Sequence, residues 1–536
     1  MGVSAVARRW WALGALVVCM LVIGFDLTIL NVALPTMAAE LDASTGEQQW
    51  TADAYIVVFA ALMLPAGLVG DRFGRRRMLL AGLGVFAVGS LLGAVADDVP
   101  TVIAARAVMG VGGALVMPLA LSVLPSLFPE REERTKAVGA VSAAAAAGMP
   151  LGPIIGGWLL EHFWWGSIFL LNVPMVAIGM AACLLLPESR DPSAPRVDAV
   201  TAALTVGGLG TLIFGVIEAP VRGWADPLVV GAFVLGVVLL TALVLRERRA
   251  VRPLLDLALL ADRGFLLPAL TATLVTLIIA GMLFVLPQHL QAVLGYDTLG
   301  TGVRLLPMMA GLVLAAKVTG PLVRRFGPHA VMSCGLVVLS SAAFLGSTTG
   351  ADDGYGATAL WLSVLSVGFG FAIVPAMDAA VGALDAERAG AGSGLLMTLR
   401  QVGGAVGVAV LGSLLASVYA NRLDTSALPA PAADRAEESV VAAHRVAADL
   451  GDGSLTAAAN DAFAQGMSAT LVACAVLALI AGLAVGGLGP RRPRGVGHGT
   501  ADGGAGGSAE GTVDEAADVV KSRGTDVERK AGDARQ

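Results

Sequence analysis

Charge is scarce in this sequence. Only 14% of its 536 residues are Asp, Glu, Lys or Arg, against about 25% in typical water-soluble domains. With 56% hydrophobic residues and a mean hydropathy of +0.78, water is not the main solvent of the chain. Cysteine is scarce as well. Cys19, Cys183, Cys334 and Cys474 fall singly inside apolar stretches, without metal-ligand spacing or an extracellular framework, and read as inert core thiols. No Gly-x4-Gly-Lys-Ser/Thr cradle for phosphate is present, which disfavours ATP as an energy source. No His-Glu-x2-His occurs, which disfavours an intramembrane metalloenzyme. Period-two alternation over segments of about ten residues is also missing, which excludes a membrane barrel.

What is there is apolar sequence in stretches of roughly twenty residues, enough to cross a hydrocarbon core of about 30 Å as helix. Such stretches run over 11–33, 48–69, 78–96, 101–125, 137–160, 166–186, 199–218, 227–245, 265–288, 303–322, 330–348, 357–381, 395–419 and 467–488. An all-α membrane protein with fourteen spans is expected. The first stretch is too long for a cleavable signal peptide and another follows it directly, so it counts as a span. Arginines occupy alternate loops: Arg8 and Arg9; Arg72 and Arg75 to Arg77; Arg131, Arg134 and Lys136; Arg190 and Arg196; Arg246 to Arg252; Arg324 and Arg325; Arg388; and Arg491 to Arg494. Positive loops stay in the cytoplasm, so both termini are expected inside, in a bacterial plasma membrane. Segment 421–465 is polar and expected to be external, and the tail 490–536 is Gly-, Ala- and Asp-rich; neither is expected to bury a core.

The strongest local pattern follows the second span: Gly67-Leu-Val-Gly-Asp71-Arg72-Phe-Gly74-Arg75-Arg76-Arg77. Glycine permits a tight turn between antiparallel helices, the arginines hold the loop inside, and Asp71 is placed to meet arginines or a helix N-terminus. The pattern resembles the signature loop of the major facilitator superfamily. Gly320-Pro-Leu-Val-Arg324-Arg325-Phe326-Gly327 echoes it about 250 residues later, as two related halves would. The expected organisation is a six-helix bundle over 1–190, an inserted helix pair over 191–250 and a second six-helix bundle over 251–489.

Three more motifs narrow the resemblance to the fourteen-span drug:proton antiporters of the quaternary-ammonium-compound type. The first span reads Asp26-Leu-Thr-Ile-Leu-Asn31-Val-Ala-Leu-Pro35. The fifth, Gly148-Met-Pro150-Leu-Gly152-Pro153-Ile-Ile-Gly156-Gly157, is similar to the antiporter motif of exporting families. The sixth, Trp164-Trp165-Gly166-Ser167-Ile-Phe169-x-x-Asn172-x-Pro174, is close to Trp-Arg-Trp-x-Phe-x-x-Asn-x-Pro. In its own right, the stripe Gly148, Gly152, Gly156 lets another helix approach closely, and Pro150 and Pro153 remove two backbone donors. A moving interface between the halves is the expected use.

A charge at mid-bilayer costs about 2.5–3.5 kcal/mol on insertion scales, so intramembrane charges are functional candidates. Asp26, Asp53 and Arg106 all fall in the outer half of the first bundle. A carboxylate beside an arginine that moves can take up and release a proton. Asp26 is expected to be the main proton site, Asp53 a second titrating or cation-attracting group and Arg106 the switchable partner; a static Asp26–Arg106 pair is the competing reading. Arg106-x3-Gly110-x-Gly112-Gly113-Ala114 resembles the fourth-span motif in which an arginine is linked to proton transfer, with Met109 where glutamine is usual. In the second half, Lys317, Asp378 and Arg400 are expected to pair structurally. Gln288, His289 and Gln291 also look familial, His289 standing where an aromatic is common.

The resemblance implies proton-driven efflux of small lipophilic or cationic compounds, or of an endogenous antibiotic or metabolite, by alternating access. A nutrient symporter of the same fold is the rival within transport; a polytopic receptor or lipid-modifying enzyme is the rival outside it. No cofactor is expected beyond the proton gradient. The expected partners are a small-molecule substrate, protons and lipid, with no nucleic acid, and the expected state is a monomer.

Overall fold

A computed structural model describes residues 3–128, 130–186, 188–190, 199–250, 257–384 and 389–488. Arg196, Arg252, Arg388 and the tail 490–536 lie outside the described residues, as do the side chains of Asp71, Arg131, Arg134 and Pro150.

A chain in hydrocarbon must satisfy its backbone within each segment, and helices do so. Each apolar stretch forms one: α1 (Val3–Leu41), α2 (Thr45–Phe73), α3 (Arg75–Ala94), α4 (Val99–Ser122), α5 (Arg131–His162), α6 (Ser167–Cys183, broken at Leu171), α7 (Ala199–Arg222), α8 (Pro227–Arg249), α9 (Arg263–Gln288), α10 (Leu306–Phe326), α11 (Pro328–Gly346), α12 (Tyr355–Gly382), α13 (Ala389–Arg422) and α14 (Gly453–Leu488). By length and composition, eleven helices among the described residues can cross a membrane, and Ser167–Cys183 is a shorter apolar one. Polar caps start several. Ser44 and Glu47 form a reciprocal capping box at α2, and Asp98, Asp226 and Asp262 accept first-turn amides of α4, α8 and α9.

Helix pairing shows the internal repeat. In the first half α1 packs on α5, α2 on α4, and α3 on both α4 and α6. Eight helices later the same pattern returns: α9 on α13, α10 on α12, and α11 on both α12 and α14. The α2–α3 and α10–α11 connections also match. Each is one glycine, Gly74 at φ 108° and Gly327 at φ 86°, a backbone region costly for any residue with a Cβ.

Helices α7 and α8 stand between the halves in sequence and pack on each other, with buried Thr201 Oγ1 donating to Glu247 Oε1 at 2.9 Å. Helix α7 also lies along α2 and α13, where Val57, Ile213, Ile217, Ala405 and Ala409 form a separate apolar cluster. Helix α8 leaves Val234, Leu235, Val237 and Val238 exposed, as a surface against lipid would be.

Segment 421–465 departs from expectation. Far from lacking a core, it folds into helices Ala430–Glu438 and Val440–Leu450 and the first turns of α14. Ala436, Val440, Ala443, Val446, Ala447, Ala459 and Phe463 are buried. Low overall hydropathy hid short amphipathic helices whose small apolar faces close on one another and on Tyr419, whose hydroxyl donates to Ala436 O at 3.0 Å.

The halves meet toward the ends of the helices remote from the arginine-rich loops. Gln291 Nε2 donates to Val32 O at 2.9 Å and Thr298 Oγ1 to Gly157 O at 3.1 Å. Gln49 Nε2 donates to Val408 O and Ala409 O at 3.3 and 3.2 Å. Over this seam the 430–450 helices form a cap: Thr45 Oγ1 donates to Glu438 O at 2.8 Å, and Asp42 pairs with Arg445 and, at 3.8 Å, with Arg435.

Candidate functional site

The site grows from α1. Its apolar length places Asp26 among buried side chains, where a carboxylate must find partners or stay costly. Asp26 Oδ2 accepts from Arg106 Nη1 of α4 at 2.7 Å, with both side chains about 2–3% exposed. Asp26 Oδ1 accepts from Asn172 Nδ2 of α6 at 3.2 Å, and Ser90 Oγ of α3 lies 3.5 Å from the same amide nitrogen. Arg106 has two further holds, both on α2. Its Nε donates to Thr51 O at 3.3 Å, and its Cζ lies 4.4 Å from the centre of the Tyr55 ring, a cation–π contact. Five helices therefore converge on one ion pair.

Close approach makes this possible. A Cβ at Gly110 would lie 2.7 Å from Tyr55 O and one at Gly113 2.7 Å from the Tyr55 hydroxyl, so the fourth-span glycines seat α2 against α4 beside Arg106. The fifth-span stripe acts elsewhere than expected. Cβ atoms at Gly148 and Gly156 would lie 2.7 Å from Leu21 O and 2.6 Å from the Ile29 side chain, and one at Gly152 would meet Thr28. All three face α1 within the same half. The seam between halves is instead formed by Gly157, whose Cβ would lie 2.5 Å from Thr298 O, and by Pro153, whose carbonyl meets Gly302.

Asp53 does not join the pair. On α2, Thr51 and Tyr55 face Arg106, whereas Gln49 and Val57, four residues to either side of Asp53, face α13 and α7. Asp53 shares that second face, is fully buried, and neither carboxylate oxygen has a hydrogen-bond partner among the described residues.

The signature loop makes contacts the sequence did not foretell. Arg75 N donates to Ser189 O at 2.8 Å and Arg75 Nη1 to Ser122 O at 2.9 Å. Glu188 accepts from Arg76 N at 3.2 Å and lies 3.8 and 3.6 Å from the Arg76 and Arg77 guanidinium groups. Arg72 lies over Phe73 at 5.8 Å. At Gly67 a Cβ would meet nothing within 4 Å.

The expected pairing of Lys317, Asp378 and Arg400 is absent. Lys317 and Asp378 are exposed, and no ion pair joins the three among the described residues. Helical phase separates them: Arg400 turns toward α9 and α12, where Thr276, Met377 and Met397 surround it. Asn31 and Gln288 bond to carbonyls of their own helices. His289 is fully buried, stacks on Phe463 with ring centres 6.4 Å apart and has no hydrogen-bond partner among the described residues.

Thr51, Tyr55, Ser90 and Asn172 were not assigned to the site by the sequence reading. Asn172 stood in the sixth-span motif, and a polar residue in apolar helix was the available signal. Thr51 contributes only a carbonyl, which no side-chain pattern reveals.

Two related helical bundles, the first of them built around a buried ion pair, are the architecture of a multi-pass membrane transporter. The chain belongs to the Major Facilitator Superfamily, whose family model matches residues 16–408. It is 32% identical over 487 residues to the tetracenomycin C resistance and export protein of Streptomyces glaucescens, covering 88% of this chain and 90% of that one. It is 34% identical over 484 residues to the multidrug efflux pump LfrA of Mycolicibacterium smegmatis, covering 89% and 96%. Among solved structures, a bacterial homolog of the human lysosomal transporter Spinster, inward-facing and unoccupied, shares the fold with a TM-score of 0.66 at 17% identity, covering 89% of this chain and 97% of that one. The protein is thus a non-enzymatic, multi-pass bacterial membrane transporter of small molecules.

Proposed function

We propose that this transporter exports drugs or an endogenous antibiotic or metabolite in exchange for protons, crossing the plasma membrane fourteen times with both termini inside and working as a monomer. The buried Asp26–Arg106 pair carries this reading. A proton on Asp26 removes the charge that holds Arg106 to α1, while Thr51 O and the Tyr55 ring keep Arg106 on α2. Protonation thereby shifts the attachment of α4 from α1 to α2, a helix that lies along the seam. Asp53, on the seam face of α2, is the second titrating group. The closed seam lies away from the arginine-rich loops, so cargo enters from the cytoplasm in this state.

The relatives' names support export, since one is a resistance and export protein and another a multidrug efflux pump. The test is efflux of a fluorescent lipophilic cation, ethidium, from inside-out vesicles with an imposed proton gradient. Wild type is expected to move it and Asp26→Asn to lose the gradient dependence; undiminished gradient-driven transport by the variant removes Asp26 as the proton site.

A further inference from the structure

Arg400 is a charge on a membrane helix that the proton-exchange reading leaves unused. It lies 11 residues into α13, roughly 16 Å along the axis at 1.5 Å per residue, and its side chain is half-buried. Its Nε points at Thr276 Oγ1 at 3.4 Å, and Nη1 lies 3.7 and 3.6 Å from the sulfurs of Met377 and Met397. Thioethers are weak acceptors, and the Thr276 hydroxyl itself donates to Ala272 O. Among the described residues, no carboxylate is within ion-pair distance and Nη2 has no partner. Arg106 shows the contrast: in the other half an arginine at comparable cost receives an aspartate.

The surroundings suit a ligand with an acid group and an apolar body. Gly403 and Gly407 press α13 onto α9; a Cβ at Gly403 would lie 2.6 Å from Thr273 O, and one at Gly407 would strike Leu277 O. Gly404, one turn beyond Arg400 on its own face, is different. A Cβ there would touch only Ala280 and Thr276, each at 3.8 Å, an ordinary contact distance, so packing beside the guanidinium is looser than at Gly403 and Gly407. Methionine lines the other side with a flexible, polarisable surface. Planar guanidinium forks bind carboxylates in two-point geometry.

We infer that Arg400 is an anion-binding group of the transport pathway, recognising the carboxylate of an otherwise apolar cargo. The inference rests on the export reading. Purified full-length protein is titrated with 1-pyrenebutyric acid and with its methyl ester, followed by pyrene fluorescence. Wild type is expected to bind the acid at least about tenfold more tightly than the ester, the worth of one hydrogen bond to a charged group. Arg400→Gln is expected to erase that preference while Arg400→Lys keeps part of it. Equal affinity of wild type for acid and ester, or a preference surviving in Arg400→Gln, overturns the inference; the wild-type comparison decides even if the variant does not fold. Gradient-driven ethidium efflux by wild type and Arg400→Gln separates the two claims. Ethidium transport without acid preference leaves export standing and removes the anion site, whereas absence of gradient-driven ethidium efflux together with equal binding of acid and ester removes both.

Discussion

Asp26 and Asp53 are both buried aspartates in one bundle, and their neighbours set them opposite tasks. Asp26 has Arg106 and Asn172; Asp53 has no donor among the described residues. Removing the charge therefore has opposite signs. Asp26→Asn leaves Arg106 buried without its counter-charge, a change that costs about 3–5 kcal/mol when a buried pair loses one partner. Thermal unfolding in detergent is expected to fall accordingly, with part of the loss regained in Asp26→Asn/Arg106→Gln. Asp53→Leu, an apolar side chain of similar width, removes an unsatisfied group worth about 1–3 kcal/mol. The same melt is expected to rise while proton-driven efflux declines. A fall in the melt for Asp53→Leu would mean that the carboxylate holds the closed seam in place.

At the level of the helix, Gly67 and Gly74 of the signature loop separate turn geometry from motif membership. Gly74 has φ 108° and stands within 2.5 Å of Glu188 Oε1 at its missing Cβ, whereas Gly67 has open space. Gly74→Ala is expected to lower stability by about 1–3 kcal/mol, the strain of a residue held in a sparsely populated region, and Gly67→Ala to change it by less than about 0.5 kcal/mol. Yields of monodisperse protein after heating compare the two directly. Much at this scale was legible from the sequence: uninterrupted apolar runs can only be helices in lipid, and repeated Gly-x-x-x-x-Arg-Phe-Gly loops announced repeated turns. Helix rotation was not legible. Gln49, Asp53 and Val57 share one face of α2 and Thr51 and Tyr55 another, but depth alone placed Asp53 with Arg106. The same limit misassigned Arg400, and the glycine stripe of α5 was read as a seam when its phase turns it to α1.

Across the whole molecule, the cap over the seam joins the second half to the first. Its polar composition concealed it, because a hydropathy window averages a narrow apolar face with its wet side. Arg445→Ala removes an ion pair to Asp42 across the halves and is expected to make a cysteine placed at Thr298 react faster with a membrane-impermeant thiol reagent; an unchanged rate would show the cap to be independent of opening. The cap is also tuned to acidity. Burial first, then the nearby charge of Glu47, pushes the Glu438 carboxyl above its ordinary value of 4.5 against the pull of Arg435. A carboxyl raised in the docked state favours docking below its ordinary value, and that contribution is lost as pH rises through the raised one. Proteolysis of 424–452 is therefore expected to be slower in acid than at neutral pH, and Glu438→Gln to remove the difference. Opening the seam must move α2, and there the one-residue connection at Gly74 matters again. With no slack between α2 and α3, a tilt of α2 swings α3, which carries Ser90 against Asn172 and so against Asp26. Gly74 thus joins the helix that lines the seam to the one whose Ser90 touches a partner of the ion pair.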